Sequence, residues 1–401
     1  MSPLPAAVIL GDLYLVRCFH GTEIPLVIAG SDPTDPIFRS RYARRTAIIA
    51  PWEHPENALA DLERLAASFD ERPVLLYDND EQLKFVSRHR EQLAPFYRLP
   101  LPAADLVEAL VDKREFGRFA RVRGLPVPRQ IASRDVDGPE AALAKLRLPC
   151  VIKPDLRRGW WAQPELFVDG PRKAFLVKTP VELRTRWTEL ARGSVANFVV
   201  QEYIPGGEDR IYSFHAYVDA TGVVKGWFLG KKIRTFPRSA GISTFLELVH
   251  EPGLAELGLD IVERTGIVGP MKMDFKRDPA GRFHLLEINA RFNLWHHLGA
   301  ASGVNLPLVA YQDLTGSFTD DPPCYTTEIR WLSLVNDVRT FLRSYRPSGA
   351  LRWRDWIGSL RGRVIYEQFQ WDDPMPFLTD QYRYARAVVR RLASGAKAAA
   401  A

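Results

Sequence analysis

Cysteine is scarce in this sequence. Its 401 residues include only Cys18, Cys150 and Cys324, scattered and without a Cys-x-x-Cys pair. That excludes a disulfide framework and a zinc knuckle, and it suits a reducing, cytoplasmic setting. Long hydrophobic runs are missing, since no window reaches the roughly 18–20 uncharged apolar residues of a membrane span. The opening MSPLPAAVIL has no positive segment and soon meets Gly11-Asp12, so it does not read as a signal peptide. The first apolar run is followed by Gly11 alone rather than Gly-x-Gly-x-x-Gly, so a dinucleotide fingerprint is lacking. Internal repeats and low-complexity segments are absent as well. Neither charge dominates: 54 Lys and Arg against 48 Asp and Glu leave +6.

What remains is an ordinary globular composition, 46% hydrophobic and 25% charged, which excludes wholesale disorder. The length suggests about two to four domains. Residues 1–104 read as alternating strands and helices. The apolar runs Ala6–Gly11, Ile24–Gly30, Ala47–Pro51 and Pro73–Asp78 are strand-like, and Asn57–Phe69 has helical spacing. Such alternation predicts an open, mainly parallel sheet, a Rossmann-like module. The Pro-bearing stretch Leu99–Leu106 marks a boundary. Asp105–Gly124 then predicts one helix stopped by Gly and Pro. Strand-like CVIKP, an amphipathic helix over Val181–Gly193, strand-like FVVQEYIPGGE and a hairpin over Met271–Phe292 follow.

The hairpin carries the strongest chemical signal. Alternation puts Glu287 and Asn289 on one face of FHLLEIN and turns Asp274 away from Met271, Met273 and Phe275. With Asp278–Gly281 as a four-residue loop, Asp274 and Glu287 share a face and lie diagonally close; a loop one residue longer would separate them. Two carboxylates and an amide oxygen suit a hard cation such as Mg²⁺, although an ordinary solvated face fits the spacing equally well. Lys153 at the end of an apolar strand is costly unless its ammonium reaches water or an anion. With Lys113 and the carboxylates it suggests a polyphosphate held between ammonium groups and a metal. In FVVQEYIPGGE the strand end can offer main-chain groups to a flat heterocycle, and Glu208 or Asp209 can accept from ribose hydroxyls.

The order of these pieces resembles the ATP-grasp superfamily: Lys113 before a helix ending in GLPVP, then VIKP, QEYIPGGE, MDFK and LLEINARF. The resemblance runs over about Leu106–Gly316 and is nearest to carboxylate–amine ligases of the D-aspartate-ligase and carbamoyl-phosphate-synthase-like kind. It implies a mixed α/β and α+β architecture: a Rossmann-like pre-ATP-grasp domain over 1–104, a two-lobed ATP-grasp domain over 105–319 hinged near 202–208, and a small helical extension over 320–401. It also implies roles. Lys113 and Lys153 hold ATP phosphates. Glu202, Tyr203 and Ile204 form the hinge against adenine, and Glu208 or Asp209 takes the ribose. Asp274, Glu287 and Asn289 bind Mg²⁺, with Mn²⁺ as an alternative. Arg291 stabilises the phosphorylated intermediate, with Lys153 assisting. Lys232 and Arg234, read as sharing a face of FLGKKIRTF, meet the γ-phosphate or the substrate carboxylate.

Two departures from the family stand out. The loop region Asp155–Phe175 has only Gly159 and Gly170, which leaves Arg157, Arg158 or Lys173 to replace backbone phosphate contacts. The usual Asn-Pro-Arg reads Asn289-Ala290-Arg291. His296 and His297 are adjacent, point to opposite sides, and are expected to pack rather than bind metal.

The implied reaction is stepwise. A carboxylate takes the γ-phosphate of ATP, and an amine then displaces phosphate from the acyl phosphate. The partners are a small carboxylate and an amine, without nucleic acid, and a dimer is compatible with the sequence. Alternatives are an ATP-grasp carboxylation or phosphorylation, or a non-catalytic nucleotide-binding regulatory module. Between Arg330 and Leu392 twelve Arg face six acids, with Trp331, Trp353, Trp356 and Trp371 interleaved. The whole excess of +6 therefore sits there. This stretch reads as a basic helical cap, or as a contact for an anionic membrane or a phosphate-bearing substrate.

Overall fold

The structure is a computed structural model that describes residues 4–154, 174–192, 197–238, 241–319 and 324–398. Its first unit has β1 (Ala7–Ile9), β2 (Leu26–Gly30) and β4 (Val74–Leu76) inside the expected apolar runs, whereas β3 (Arg45–Ile48) starts two residues before the run Ala47–Pro51 and is a mostly exposed edge strand. All pair in parallel, in the order β3-β2-β1-β4. Successive strands run outward on one side of β1, and β4 returns to the other. The chain therefore reverses its winding beside β1, where open α/β sheets leave a crevice at their carboxyl ends. The helix Asp80–Arg88 starts at that edge, and the Asn79 side chain caps it by accepting from the Gln82 N–H at 2.9 Å.

The single helix expected over Asp105–Gly124 is two, Ala104–Val111 and Lys113–Val122. Asp112 breaks it with extended backbone, and its carboxylate accepts from the Arg114 and Glu115 N–H groups at 2.9 and 3.0 Å. Asp competes with helix by this local bonding. The break places Lys113 at the start of the second helix.

A small antiparallel sheet follows, of β5 (Gln130–Ala132), β6 (Cys150–Pro154), β7 (Phe175–Val177) and β8 (Phe198–Glu202), in the order β5-β8-β6-β7. One face buries Cys150, Ile152, Phe175, Phe198 and Val200 against Leu183, Trp187 and Leu190 of the helix Pro180–Arg192. Alternation leaves Lys153, Val199 and Gln201 on the other face.

The large sheet contains β9 (Ile211–Val218), β10 (Val224–Phe236), β11 (Ile242–Leu248), β12 (Gly269–Arg277), β13 (Phe283–Asn289), β14 (Ile329–Leu332) and β15 (Arg363–Tyr366). Its order is β13-β12-β9-β10-β11-β14-β15. The C-terminal stretch is thus helical and also supplies the last two strands. Asp337, fully buried, holds it in place. This carboxylate accepts from the Arg234 Nε and Nη2 at 2.8 Å each, from the Thr244 hydroxyl at 2.7 Å and from the Trp356 indole at 2.8 Å. The same stretch reaches the first unit, where Asp373 accepts from Ser40 Oγ at 2.7 Å and from the Arg41 N–H at 2.9 Å. Trp331 and Trp356 are buried, so they belong to the core, while Trp353 and Trp371 are 44% and 88% exposed. No helix among the described residues is long and apolar enough to cross a membrane.

Removing Asp337 would strand a buried guanidinium. Asp337→Ala is expected to lose about 3–5 kcal/mol of unfolding free energy, read from urea denaturation. A loss below about 1 kcal/mol would show that the pair does not anchor the C-terminal stretch.

Candidate functional site

The β12–β13 hairpin does not have the loop expected from sequence. Arg277 pairs with Phe283, so residues 278–282 lie between the paired positions. Gly281 adopts φ +87°, and the Asp278 N–H donates to the Arg282 carbonyl at 2.9 Å. The Asp278 carboxyl lies well below its usual range because His284 and Arg282 donate to it. This extra residue alone would have turned Glu287 to the wrong face. The register is restored by a bulge: Phe275 pairs with Leu285 and Asp274 with Glu287, leaving Leu286 between. Asp274 and Glu287 end directly opposite each other rather than diagonal. Asn289 is two residues further on, with its Nδ2 donating to Glu287 Oε1 at 3.3 Å.

Glu287, Asn289 and Arg291 line a cavity of about 860 Å³ that also receives Lys113 and Lys153. A hydrogen-bond chain that sequence reading missed spans its wall. Lys153 Nζ donates to Gln201 Oε1 at 2.7 Å, Gln201 Nε2 to Gln130 Oε1 at 3.1 Å, and Gln130 Nε2 to the Lys113 carbonyl at 2.8 Å. Strand alternation could have placed Gln201 with Val199, opposite to Glu202; Gln130 had no such signal. The chain needs Gly117, because a Cβ there would fall 1.9 Å from Gln130 Nε2.

Arg291 ties this wall to the first unit. Its Nε donates to Asp80 Oδ1 at 2.5 Å, its Nη1 to the Asp78 carbonyl at 2.9 Å and its Nη2 to Asn289 Oδ1 at 3.4 Å. Asp78 itself is buried. Desolvation first, then the Asp12 charge, raises its carboxyl to about 6, even though Tyr14 and the Asp12 N–H donate to it.

Other expected residues lie elsewhere. Glu202 accepts from the Arg147 N–H at 3.0 Å, and the Glu202 and Tyr203 N–H groups already donate to the Arg129 and Pro149 carbonyls. Glu202, Tyr203, Ile204, Glu208 and Asp209 are outside the cavity lining. Both Glu208 carboxylate oxygens accept hydroxyls, from Thr235 and Tyr345. Asp274 is buried one strand behind the cavity wall, where Ser213 and Lys272 donate to it, the latter at 2.6 Å. Lys232 pairs with Leu246 and Arg234 with Phe245, and register shifts on both sides of Arg234 break the shared face expected for the two. Arg234 is 3% exposed and paired with Asp337, which ties it to the C-terminal stretch. Arg157, Arg158 and Lys173 lie outside the described residues. His296 is buried, its Nδ1 accepts from the Asn293 N–H at 2.9 Å, and its ring packs on Phe292 and His215.

Two further lysines share the Asp274 face. Lys272 is almost buried, and burial lowers its pKa. The ammonium of Lys276 lies 4.3 Å from the Tyr203 ring centroid, and burial lowers its pKa to about 8 although Glu208 opposes this. The alternation in MKMDFK that singled out Asp274 also selects both lysines.

This architecture, with a cavity between a small antiparallel sheet and the edge of a larger one, defines an ATP-grasp fold. The family described as ATP-grasp in the biosynthetic pathway with Ter operon matches residues 195–335. The D-aspartate ligase of Enterococcus faecium (strain Aus0004) is 24% identical over 247 residues, covering 60% of this chain and 58% of that relative. The N5-carboxyaminoimidazole synthetase from Staphylococcus aureus complexed with ADP superposes with a TM-score of 0.60 at 14% identity, covering 81% of this chain and 82% of the other. The L-amino acid ligase from Bacillus licheniformis gives 0.59 at 17% identity, covering 79% and 77%.

Two expectations follow from the geometry. Replacing an interior helix glycine by alanine usually gains about 0.5–1 kcal/mol. Gly117→Ala should instead destabilise the protein, yet stabilise a Gln130→Ala background, as a double-mutant cycle in urea would reveal. The raised Asp78 pKa means that the folded state keeps this proton after the unfolded chain has lost it. The stability attributable to Asp78 therefore falls as pH rises from about 4 to about 6 and is level above that. Subtracting the Asp78→Asn unfolding curve from wild type over pH 4–7 should isolate the slope.

Proposed function

We propose that the chain is an ATP-dependent ligase that joins a small-molecule carboxylate to an amine and releases ADP and phosphate. The observation that carries the reading is the convergence of Lys113, Lys153, Glu287, Asn289 and Arg291 on one cavity. In this reading the two lysines, joined through Gln130 and Gln201, hold the phosphates of ATP between the small sheet and β13. Salt-bridged to Asp80 and hydrogen-bonded beside Asn289, Arg291 is held where a phosphorylated acid would form. The D-aspartate ligase and L-amino acid ligase matches support this class of reaction.

The donor chemistry fits Mg²⁺ or Mn²⁺: Glu287 and Asn289 on the wall, with Asp274 opposite Glu287, present hard oxygen atoms. The set rests on two carboxylates and an amide. Groups of three or more His, Cys, Asp and Glu suited to a metal are absent among the described residues. When bound, the ion supplies charge neutralisation at the phosphates. The hinge residues 202–204 and Glu208 are assigned to adenine and ribose by resemblance, and Lys276 beside Tyr203 and Glu208 adds positive charge at that end.

ADP release with Mg²⁺-ATP across a panel of acids and amines tests the proposal, and a bicarbonate arm tests carboxylation. Glu287→Ala and Lys153→Met are each expected to lower turnover by about 10²–10³-fold. Turnover that survives Glu287→Ala would remove the metal assignment. Silence with every pair would favour a nucleotide-binding module.

A further inference from the structure

The cavity is larger than the residues assigned above require. Much of its wall belongs to the first unit and to the helix Ala104–Val111 rather than to either ATP-grasp sheet. Trp52, in the loop after β3, packs on Phe85 with ring centroids 4.8 Å apart. Phe85 packs in turn on His89 at 4.7 Å. Leu110 continues this apolar wall. The box sits at the carboxyl edge of the parallel sheet, where open α/β folds take ligands. Its polar groups are Asn79, Asp80, Glu81, Lys84, Arg88 and His89. His89 Nδ1 is buried without a hydrogen-bond partner. Lys84 lines the box without a hydrogen bond or ion pair among the described residues, and Arg88 follows one helical turn later, bonded to Glu108 at 3.3 Å. An apolar cavity with a few convergent polar groups is the usual form of a small-molecule site.

We infer that this aromatic box holds the body of the acid substrate, and that the acid bears an aromatic or bulky apolar group. This rests on the ligase reading. The acid must reach the wall formed by Glu287, Asn289 and Arg291, and the remainder of the same cavity is the box. Flat apolar groups are stabilised against Trp52 and Phe85 by area burial and ring stacking. Small acids such as acetate would leave Trp52, Phe85 and Leu110 uncovered.

Calorimetry on the full chain tests this without requiring turnover. The probes are 3-phenylpropionate, acetate and the non-hydrolysable nucleotide AMP-PNP with Mg²⁺, against wild type, Trp52→Ala and Phe85→Leu, with folding checked by circular dichroism. Both variants should weaken 3-phenylpropionate by about tenfold or more while acetate and AMP-PNP change by less than about twofold. In kinetics the loss should appear in KM for the aryl acid and not in KM for ATP. Equal affinity of wild type and variants for the aryl acid would overturn the inference. So would a selective loss of AMP-PNP, which would make the box the adenine seat. If the aryl acid binds as expected but no acid supports ADP release, the box stands and the ligase reading fails.

Discussion

The site depends on one register. Asp274 pairs with Glu287 across β12 and β13, and side-chain direction in a sheet alternates with every residue, so a slip of one would send Glu287 to the opposite face. The hairpin meets this constraint with two irregularities of opposite effect, a loop one residue longer than its turn chemistry suggested and a bulge at Leu286. Neither is tolerable alone. The bulge also lies at the cavity edge, and Leu286 is itself part of the lining. Correcting the register and shaping the wall are therefore one local event.

The other side of the cavity is set by charge and amide chemistry. Lys113 and Lys153 come from separate elements, a helix and β6, and could take many relative positions. The Gln130–Gln201 chain narrows these by giving each polar group a partner in a half-buried wall, which offsets the cost of keeping an ammonium there. Arg291 does the corresponding work toward the first unit, since its guanidinium spans Asp80, the Asp78 carbonyl and Asn289. The first unit is thus part of the cavity and not an appendage.

The C-terminal stretch shows how a compositional signal can divide. Its arginines and tryptophans read from sequence as one basic, aromatic cap. In the fold, Trp331 and Trp356 are core residues, and Asp337 binds Arg234 and Trp356 together. Tyr345 from this stretch donates to Glu208, so the cap also reaches the residue that resemblance assigns to ribose. Composition could not separate these, because exposure depends on which strand or helix carries each residue and on which side of it meets the large sheet.

The sequence by itself determined the buried parallel strands β1, β2 and β4, because buried strands require continuous apolar runs. It also determined the ordered motifs that resemble the ATP-grasp superfamily and the pairing of Glu287 with Asn289, which needs only a two-residue period. The helix break at Asp112 was legible in principle, as a capping residue before Lys113, but was masked by apolar spacing that continued on either side. Only the tertiary structure decided that Arg234 belongs to Asp337, that Gln130 bridges two lysines, and that Trp52 and Phe85 wall the cavity that holds Glu287. These depend on contacts between residues far apart in the chain, such as Arg234 and Asp337. Local periodicity is blind to them because they are fixed by the packing of whole sheets and helices.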